Sequence, residues 1–524
     1  MWRRLYLFLL LVRLYFALQP SYIHPDEHFQ GPEVIASISP FIPLYCTQLT
    51  HSIGQIFDWP SDPPWEFVSD EPIRSFFPLW LAYGFPLTLL KWIWEGLGYG
   101  EVQPTLAFYA LRILMFVLSF VLEDWALHEL IPLPRDRTRA IALVASSYVT
   151  WTFQMHTFSN SIDTLLVLWC IVLIRRIREH PESTMAGACF GLAFMGVLGI
   201  FNRITFPAFI LVPGLQIVPH LFTRSLRIPI LLAAALLTLA VAVTVDTEIY
   251  ASVRPSLRNI RDTTIFTPLN NFYYNLDPAN LAVHGLHPYY QHFALNLPQL
   301  LGPAIPVLLF SSRKNTLFWS GIAGIAALSC FQHQEPRFLL PAIPLFLATI
   351  KLPTRFSRLF LTSWILFNAT LGVLFGIYHQ AGILPAQRFL ARETNTSQIS
   401  WWRTYPPPTW LEGSFLSPDA KVKDYMGFDF DQLVEELYNK AECQDERTSV
   451  SMLVAPLSAV ELDDYLEYEG SGIYGATIKL EEVWRTSRHV GLDDLDFAGE
   501  GVWKTLRRVV GRRGLAVWVI NKKC

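Results

Sequence analysis

Two short clusters of charged and imidazole side chains stand out in an otherwise apolar chain, and both have the residue types of a reaction centre. The first is the run His24-Pro25-Asp26-Glu27-His28, directly after the first apolar segment. The second is the run Gln332-His333-Gln334-Glu335-Pro336-Arg337-Phe338, between two later apolar segments. Ionisable groups beside a bilayer are costly and are functional candidates by default. We therefore expect a polar site at a membrane face.

The adjacent carboxylates Asp26 and Glu27 are the candidates for acid–base catalysis. Desolvation near the bilayer raises the pKa of a carboxyl group, so we expect one of the two to serve as a general base. Only one can face a given cleft because neighbouring side chains diverge, and Asp26, directly after Pro25, is our choice. A salt-bridged surface loop, or a helix N-terminus with acidic caps, is the structural alternative. His24 and His28 beside Asp26 do not have the spacing of a strong metal motif, so no metal is predicted.

The second cluster has the groups that bind a phosphate. Arg337 carries a planar fork of donors that matches phosphate oxygens, and His333 and Glu335 flank it. A single arginine that extends to the interface is the structural alternative, but it does not explain the whole cluster. Arg74 and His24 are expected near the same site as further substrate contacts.

A third stretch, residues 267–288, combines amides, imidazoles and aromatic rings. These groups bind sugars through hydrogen bonds to hydroxyl groups and by stacking on apolar sugar faces. Asn275, His284 and His287 are the predicted substrate contacts in this stretch. A structured loop capped by Asn and Gly is the alternative.

Several further charges interrupt apolar segments, where ionisable residues are functional candidates by default. For Arg13, Arg112 and Asp124 we expect structural pairs instead. The remaining members of the group are Arg74, Asp163, Arg203 and Asp246.

The composition indicates a membrane protein. The 524 residues are 52% hydrophobic and only 16% charged, whereas soluble chains carry about 25% charged residues. The net charge of −3 gives no reason to expect a nucleic acid partner. The sequence has no phosphate-binding loop of the Walker type, no GxSxG or HExxH motif and no dinucleotide fingerprint, so no cofactor is predicted.

The apolar segments predict an all-α polytopic membrane protein with about 11–12 membrane helices. The predicted divisions are a signal-anchor helix at 1–19, a luminal catalytic loop at 20–76, a polytopic domain at 77–380 and a small luminal α+β domain at 381–524. The candidate spans are 2–19, 77–97, 105–127, 139–156, 160–176, 185–200, 204–220, 228–246, 294–311, 315–332, 338–352 and 356–378.

Basic residues in alternate short loops set the orientation. Arg3 and Arg4 place the N-terminus in the cytosol, so the first cluster emerges in the lumen. The second cluster falls on the same side only if segment 77–97 does not fully cross. Gly84 and Pro86 interrupt that segment, so we expect a broken or re-entrant element there.

The last 140 residues are more polar and have shorter apolar runs. Residues 429–441 predict an amphipathic helix with Phe430, Val434 and Leu437 on one face, and residues 449–454 and 515–520 predict strands. Asn395-Thr396-Ser397 is a glycosylation sequon that is usable in the lumen. A disulfide between Cys46 and Cys443 would require the same compartment.

The motifs together resemble those of the α-mannosyltransferases of glycosyltransferase family 22, most closely the subgroup that adds the fourth mannose to the glycosylphosphatidylinositol (GPI) precursor. The resemblance extends to about residue 411. It is carried by HPDEHFQGPEV (24–34), PIRS (72–75), TFSNSID (157–163), NRITFP (202–207), TPLNNFYYNLDPANLAVHGLHP (267–288), NLPQLLGP (296–303), HQEPRF (333–338), HQAGILP (379–385) and WWRTYPPPTWL (401–411).

The resemblance implies the GT-C membrane fold, an endoplasmic reticulum location and dolichyl-phosphate mannose as donor. It implies that Asp26 removes the proton from the 2-hydroxyl of the third mannose, with inversion and an α1,2 linkage as the outcome. Arg337 and His333 are then the candidates for stabilising the leaving phosphate. The alternatives are a transferase for the third GPI mannose or for the lipid-linked oligosaccharide and, from another class, a polytopic lipid transporter.

Overall fold

The computed structural model describes residues 2–36, 56–57, 59, 62–251, 264–352, 355–393, 396–413, 420–440, 449–467 and 478–522. Helices dominate the chain to residue 390, and a small sheet follows them. The α-helices of the described residues are α1 Trp2–Ala17, α2 Asp26–Phe29, α3 Pro32–Ala36, α4 Trp65–Val68, α5 Phe76–Leu79, α6 Phe85–Gly96, α7 Pro104–Leu118, α8 Asp124–Leu130, α9 Pro134–Ala145, α10 Tyr148–Trp151, α11 Ser159–Glu179, α12 Ala186–Asn202, α13 Phe206–Leu221, α14 Arg227–Ala251, α15 Thr267–Leu276, α16 Pro278–Val283, α17 Leu297–Leu301, α18 Ala304–Phe310, α19 Thr316–Leu328, α20 Ala342–Thr349, α21 Ser357–Val373, α22 Ile383–Leu390, α23 Phe430–Lys440, α24 Asp463–Glu467 and α25 Val502–Gly511.

Among the described residues, four continuous helical stretches are long and apolar enough to cross a membrane: Phe76–Gly96, Pro104–Leu130, Arg227–Ala251 and Ser357–Tyr378. Up to six spans result if two sharply bent helix pairs each count as one. The helices α12, α13 and α19 are apolar but shorter. The prediction of a mostly helical, multi-pass membrane protein is therefore confirmed, while the count of 11–12 crossings stays a prediction.

The expected interruption of segment 77–97 is wrong. Helices α5 and α6 join through a π-helical turn, Trp80–Gly84, and form one stretch of 21 residues. Pro86 lies at the start of α6, directly after that turn, where the hydrogen-bond pattern of the helix already changes. The missing amide of the proline thus falls at the junction and does not break the helix.

The predicted straight span 294–311 bends instead. The stretch His292–Leu301 turns by 116° into α18 at Gly302 and Pro303. Gly302 has a φ of +47°, which favours a residue without a Cβ atom, and a proline follows it. A second bend, of 111°, joins Tyr148–Met155 to α11 at the boundary between the predicted spans 139–156 and 160–176. This second bend brings His156 and Thr157 against Glu27 of the first cluster.

The charges predicted to form structural pairs do so. Arg13 Nη2 lies 3.2 Å from Asp124 Oδ1, and both side chains are buried. Arg112 donates to the carbonyl oxygen of Ser21 at 2.8 Å and lies 3.7 Å from Glu27. These contacts fix the segment after α1 against α7.

The C-terminal region contains a mixed sheet of five strands. They are β1 Thr396–Trp401, β2 Lys421–Asp424, β3 Val450–Pro456, β4 Ile478–Thr486 and β5 Leu515–Lys522, in the spatial order β2-β1-β3-β5-β4. Strand β1 is parallel to β2 and β3, whereas β5 is antiparallel to β3 and β4. The predicted small α+β domain is thus confirmed, including β3, β5 and α23. The buried face of α23 is formed by Leu433 and Leu437, with Val434 only half buried.

The C-terminal region docks on the segment that carries the first cluster. The buried carboxyl group of Glu33 in α3 accepts hydrogen bonds from the Thr409 hydroxyl and from the amides of Trp410 and Asp62. Burial of Glu33 raises its pKa to about 7, against the effect of these donors. The helix that follows Asp26 is therefore held from the C-terminal side.

Candidate active site

The two polar clusters meet at one cavity of about 490 Å³. They therefore lie on the same side of the membrane, as predicted, although the interruption of segment 77–97 on which that prediction depended is absent. The cavity is built by the segment after α1, the segment from α4 to residue 74, the turn between α12 and α13, helix α15 and the segment after α19. The predicted residues among those that line it are His24, Asp26, Arg74, Asn275, His284, His333, Glu335 and Arg337.

The short helix α2 separates the two adjacent carboxylates. Pro25 precedes it, and Asp26 and Glu27 occupy its first turn, where the helix N-terminus favours negative charge. Successive residues of a helix point about 100° apart. The Asp26 side chain accordingly faces the cavity and is 19% exposed, whereas that of Glu27 is 1% exposed and faces the protein interior.

Arg337 connects the two clusters. Its guanidinium donates to the carboxylate of Asp26 through Nη1 and to that of Glu335 through Nε. Burial alone would raise the pKa of Asp26, but the charge of Arg337 and the contact with His24 hold it well below its ordinary value. The expected rise in the pKa of Asp26 is therefore wrong in sign, because the cation of the second cluster lies against it.

Glu335, like Asp26, is an ionised carboxylate. Burial opposes its ionisation, yet Arg337 and His333 hold the pKa of this carboxyl group far below its ordinary value. His333 Nε2 lies 3.1 Å from Glu335 Oε1, and His24 Nδ1 lies 3.3 Å from Asp26 Oδ1. An ionised pair of carboxylates thus encloses one arginine, with an imidazole on each side.

Arg74 lies across the cavity and is paired with a carboxylate. Its Nε donates to Glu66 Oε1 at 3.0 Å, and Glu66 also accepts from Gln30 at 3.3 Å. The two residues that follow Arg74 are held by Asp246 of α14, whose carboxylate accepts from Ser75 Oγ and from the amide of Phe76, both at 2.9 Å.

The same Asp246 carboxylate also fixes α15. It accepts from Thr267 Oγ1 at 2.8 Å, at the first residue of that helix. Two amide side chains of α15, those of Asn270 and Asn271, donate to the carbonyl oxygens of Pro72 and Ile73. Asp246 is thus a structural centre that holds two walls of the cavity together.

The predicted sugar-binding stretch forms one aromatic wall. The Tyr274 hydroxyl and His284 Nε2 are hydrogen-bonded at 2.9 Å. The ring of Trp65 lies over both, with centroid distances of 4.9 Å to Tyr274 and 5.7 Å to His284. Asn275 lines the cavity, although its amide donates to the Asn271 carbonyl. Trp65 lies in α4, far from this stretch in sequence.

His287 and Glu27 do not line the cavity. His287 Nδ1 accepts from the amide of Gln334 at 3.3 Å, so its ring shapes the second cluster from behind. Glu27 is bonded to His156 and lies 3.4 Å from His28 Nε2. Burial disfavours its ionisation, but His156 and Arg112 hold its pKa below the ordinary value. The prediction of Glu27 as a candidate for acid–base catalysis therefore finds no support in this geometry.

Sequence reasoning missed Glu66 and Trp65 as members of the site, and it named Arg203 only within a group of candidate charges in apolar segments. Arg203 lies in the break between the apolar helices α12 and α13, and its Nη1 donates to Ser159 Oγ at 3.0 Å and to Asn160 Oδ1 at 3.3 Å. The sequence feature that indicates Arg203 is a cation at the junction of two apolar helices. Arg337 occupies the same kind of position.

Across the part of the chain that the structure describes, no group of three His, Cys, Asp or Glu side chains is placed to hold a metal ion. The lack of a metal requirement stays a prediction. Cys170, Cys189 and Cys330 are free thiols. Asn395, Cys46 and Cys443 lie outside the described residues.

Comparisons with known proteins identify the family of the chain. The sequence pattern of the Alg9-like mannosyltransferase family matches residues 48–411. The chain is 45% identical to GPI mannosyltransferase 4 of Aspergillus oryzae, over 99% of this chain and 98% of that protein. It is 43% identical to GPI mannosyltransferase 4 of Emericella nidulans, over 100% and 98% of the two chains. Among solved structures, ArnT from Cupriavidus metallidurans bound to undecaprenyl phosphate aligns with a TM-score of 0.47 at 12% identity, over 99% of this chain and 98% of that one.

Proposed function

Because the chain belongs to the Alg9-like mannosyltransferase family, we propose that it transfers the fourth mannose of the GPI anchor. In this proposal the donor is dolichyl-phosphate mannose, the acceptor is the third mannose of the GPI precursor, and the product linkage is α1,2. The relatives that carry the name GPI mannosyltransferase 4 match nearly the whole chain, which supports the acceptor class. The endoplasmic reticulum membrane, with the cavity on the luminal side, is the proposed location.

One observation carries the chemistry: an ionised carboxylate, Asp26, faces a cavity whose walls also present three guanidinium groups, those of Arg74, Arg203 and Arg337. A carboxylate is needed to accept the proton of an attacking hydroxyl group. Positive charge is needed where a phosphate departs. Both requirements are met within one cavity, beside segments that reach the membrane.

The reaction is a single displacement at the anomeric carbon. The 2-hydroxyl oxygen of the acceptor mannose forms the new carbon–oxygen bond while the bond from that carbon to the phosphate oxygen breaks. The electron pair of the broken bond leaves with dolichyl phosphate, and the hydroxyl proton passes to Asp26. One displacement inverts the anomeric centre, so a β-linked donor gives an α-linked product.

The low pKa of Asp26 determines at what stage of the reaction it accepts the proton. Since its pKa is held low by Arg337, Asp26 is ionised at neutral pH but is a weak base. It accepts the proton late, after the attacking oxygen has begun to bond to carbon and the hydroxyl has become strongly acidic. A base of this kind does not compete for the proton before the donor is in place.

The side chains that line the cavity form an apolar wall and a polar, aromatic wall. We assign the apolar wall to the donor and the polar, aromatic wall to the acceptor. Apolar side chains come from membrane-side elements: Ile200, Phe201, Leu328, Phe331 and Phe338. Polar and aromatic side chains come from Trp65, Asn271, Tyr274, Asn275 and His284. The first wall suits the lipid end of the donor, and the second suits the sugar rings of the acceptor glycan. Asp26 lines the same cavity as both walls.

The donor and the acceptor are tested with the purified full-length protein in detergent. It is incubated with dolichyl-phosphate mannose and either a trimannosyl GPI precursor or a lipid-linked oligosaccharide, and product mass is measured. The proposal predicts a gain of one hexose on the GPI precursor only, and none with GDP-mannose as donor. Transfer to the oligosaccharide instead would retain the chemistry and overturn the acceptor. Dolichyl-phosphate mannose that crosses a vesicle bilayer without any transfer would favour the lipid transporter.

A further inference from the structure

We propose that Arg203 is the principal contact of the donor phosphate, and that Arg337, although it lies nearest to the base, instead positions and ionises Asp26. This assignment rests on the proposed function, because it presumes a donor that carries a phosphate. It changes the role that the sequence indicated for Arg337.

The charge of Arg337 is already neutralised. Two of its nitrogens donate to two ionised carboxylates, Asp26 and Glu335, and its side chain is only 8% exposed. A phosphate at this arginine would have to displace one of the carboxylates or approach two negative charges. Coulomb repulsion in a partly desolvated cavity makes that approach costly. The geometry of Arg337 is that of a group that holds a base in place.

The guanidinium of Arg74 is already paired in part, less than that of Arg337. Its Nε is paired with Glu66, while its Nη1 and Nη2 atoms have no hydrogen-bond partner among the described residues. The pair carries no net charge, although its free nitrogens are available as donors. Arg74 is therefore an auxiliary contact at most.

Arg203 has no direct ion-pair partner among the described residues, although the carboxyl groups of Asp163 and Asp26 lie near enough to attract its charge. Its hydrogen bonds go to two neutral acceptors, the Ser159 hydroxyl and the Asn160 amide, and both are made by Nη1 alone. Among the residues that the structure describes, it forms no ion pair with a carboxylate, unlike the other two arginines of the cavity. Its remaining fork nitrogens are therefore free to bind an anion through charge-assisted hydrogen bonds.

The position of Arg203 fits a phosphate that is attached to a lipid. It follows the last residue of α12 directly, so it lies at the end of an apolar helix, and Ile200 and Phe201 line the same cavity. Its guanidinium lies 4.9 Å from the centroid of the Phe338 ring, and that of Arg337 lies 5.3 Å from the same centroid. A phosphate at Arg203 is thus close to Asp26 and Arg337 without replacing either.

The test measures the affinity of the purified full-length protein for two probes, dolichyl phosphate and dolichol, which differ only in the phosphate. For Arg203→Gln we expect about tenfold weaker binding of dolichyl phosphate or more, with dolichol binding unchanged. Arg203→Lys keeps the charge and should recover part of the loss. Arg337→Gln should bind dolichyl phosphate within about threefold of wild type while it loses turnover. Arg388→Gln is the matched control, because Arg388 is exposed, donates to the neutral Thr105 hydroxyl and lies outside the cavity.

Two results would overturn the assignment. Wild-type affinity for dolichyl phosphate in Arg203→Gln, with the loss in Arg337→Gln, would assign the phosphate to Arg337. Equal loss of both probes in Arg203→Gln would show that Arg203 only supports the fold. Failure of the proposed function looks different, since the wild-type protein itself would then not distinguish dolichyl phosphate from dolichol.

Discussion

Asp26 and Glu27 are neighbours in the chain, but their carboxylates face opposite environments. Asp26 lines the cavity and is paired with Arg337 of the second cluster. Glu27 is buried and bonded to His156. Asp26 therefore acts at the surface of the site, whereas Glu27 acts in the protein interior beneath it. Substitutions of the two residues should have different consequences.

Glu27→Gln should destabilise the protein, whereas Asp26→Asn should not. Removal of the buried charge of Glu27 leaves Arg112 and His156 without their partner, at a cost of about 3–5 kcal/mol in the free energy of unfolding. Thermal unfolding and membrane abundance of the two variants measure this difference. Equal loss of both variants from the membrane would assign a folding role to Asp26 as well.

Arg337→Gln should make the residual activity sensitive to acid. In the wild-type protein Arg337 keeps the pKa of Asp26 low, so Asp26 stays ionised when the pH falls from about 7 to about 5. Without that cation, burial and Glu335 dominate, and the pKa of Asp26 rises. Asp26 then binds a proton as the pH falls, and turnover falls with it. The measurement is kcat against pH for both proteins, with Arg388→Gln as control. Parallel profiles would refute the role of Arg337.

Trp65→Ala should weaken acceptor use more than donor use. Trp65 is exposed, and its ring lies over Tyr274 and His284 on the polar, aromatic wall that we assign to the acceptor. Loss of one stacked ring should raise KM for the GPI precursor by about three- to tenfold, and Trp65→Phe should retain most of the wild-type value. KM for dolichyl-phosphate mannose should not change. An equal rise in both KM values would argue against separate walls.

Glu412→Gln should reduce the pH dependence of stability. Burial and the nearby charge of Glu33 raise the pKa of Glu412 from its ordinary value of 4.5 to about 8. Between these two values the folded protein binds more protons than the unfolded one, so wild-type stability falls as the pH rises and levels off above about 8. The variant should lose less stability between about pH 5 and about pH 8, and Glu33 accounts for the remainder. Thermal midpoints at both pH values test this; identical slopes would contradict it.

The sequence was sufficient to predict that the two clusters meet. Charged residues beside apolar segments need partners or substrates, which favoured one shared site. The alternation of basic loops placed both clusters on one side only with an interruption of segment 77–97, and that interruption is wrong. The same reasoning identified Arg13, Arg112 and Asp124 as structural. Periodicity found β3, β5 and α23, because each is an apolar pattern of ordinary length.

Other features depend on contacts that no local pattern contains. The low pKa of Asp26 arises from Arg337, which is 311 positions away in the chain. The orientation of Glu27 follows from its hydrogen bond with His156. The aromatic wall joins Trp65 to residues about 200 positions later. Strand β4 was missed because its exposed side chains are charged, and β2 because it is short and polar.

The central claim, that Asp26 is the base of a mannosyl transfer, is tested most directly by single-turnover transfer from dolichyl-phosphate mannose to the trimannosyl GPI precursor. Wild-type protein and Asp26→Asn are compared after both are shown to be folded and to bind dolichyl phosphate equally. We predict that the variant loses transfer by about 10²–10⁴-fold while its donor affinity is retained. Transfer by Asp26→Asn at the wild-type rate would contradict the account.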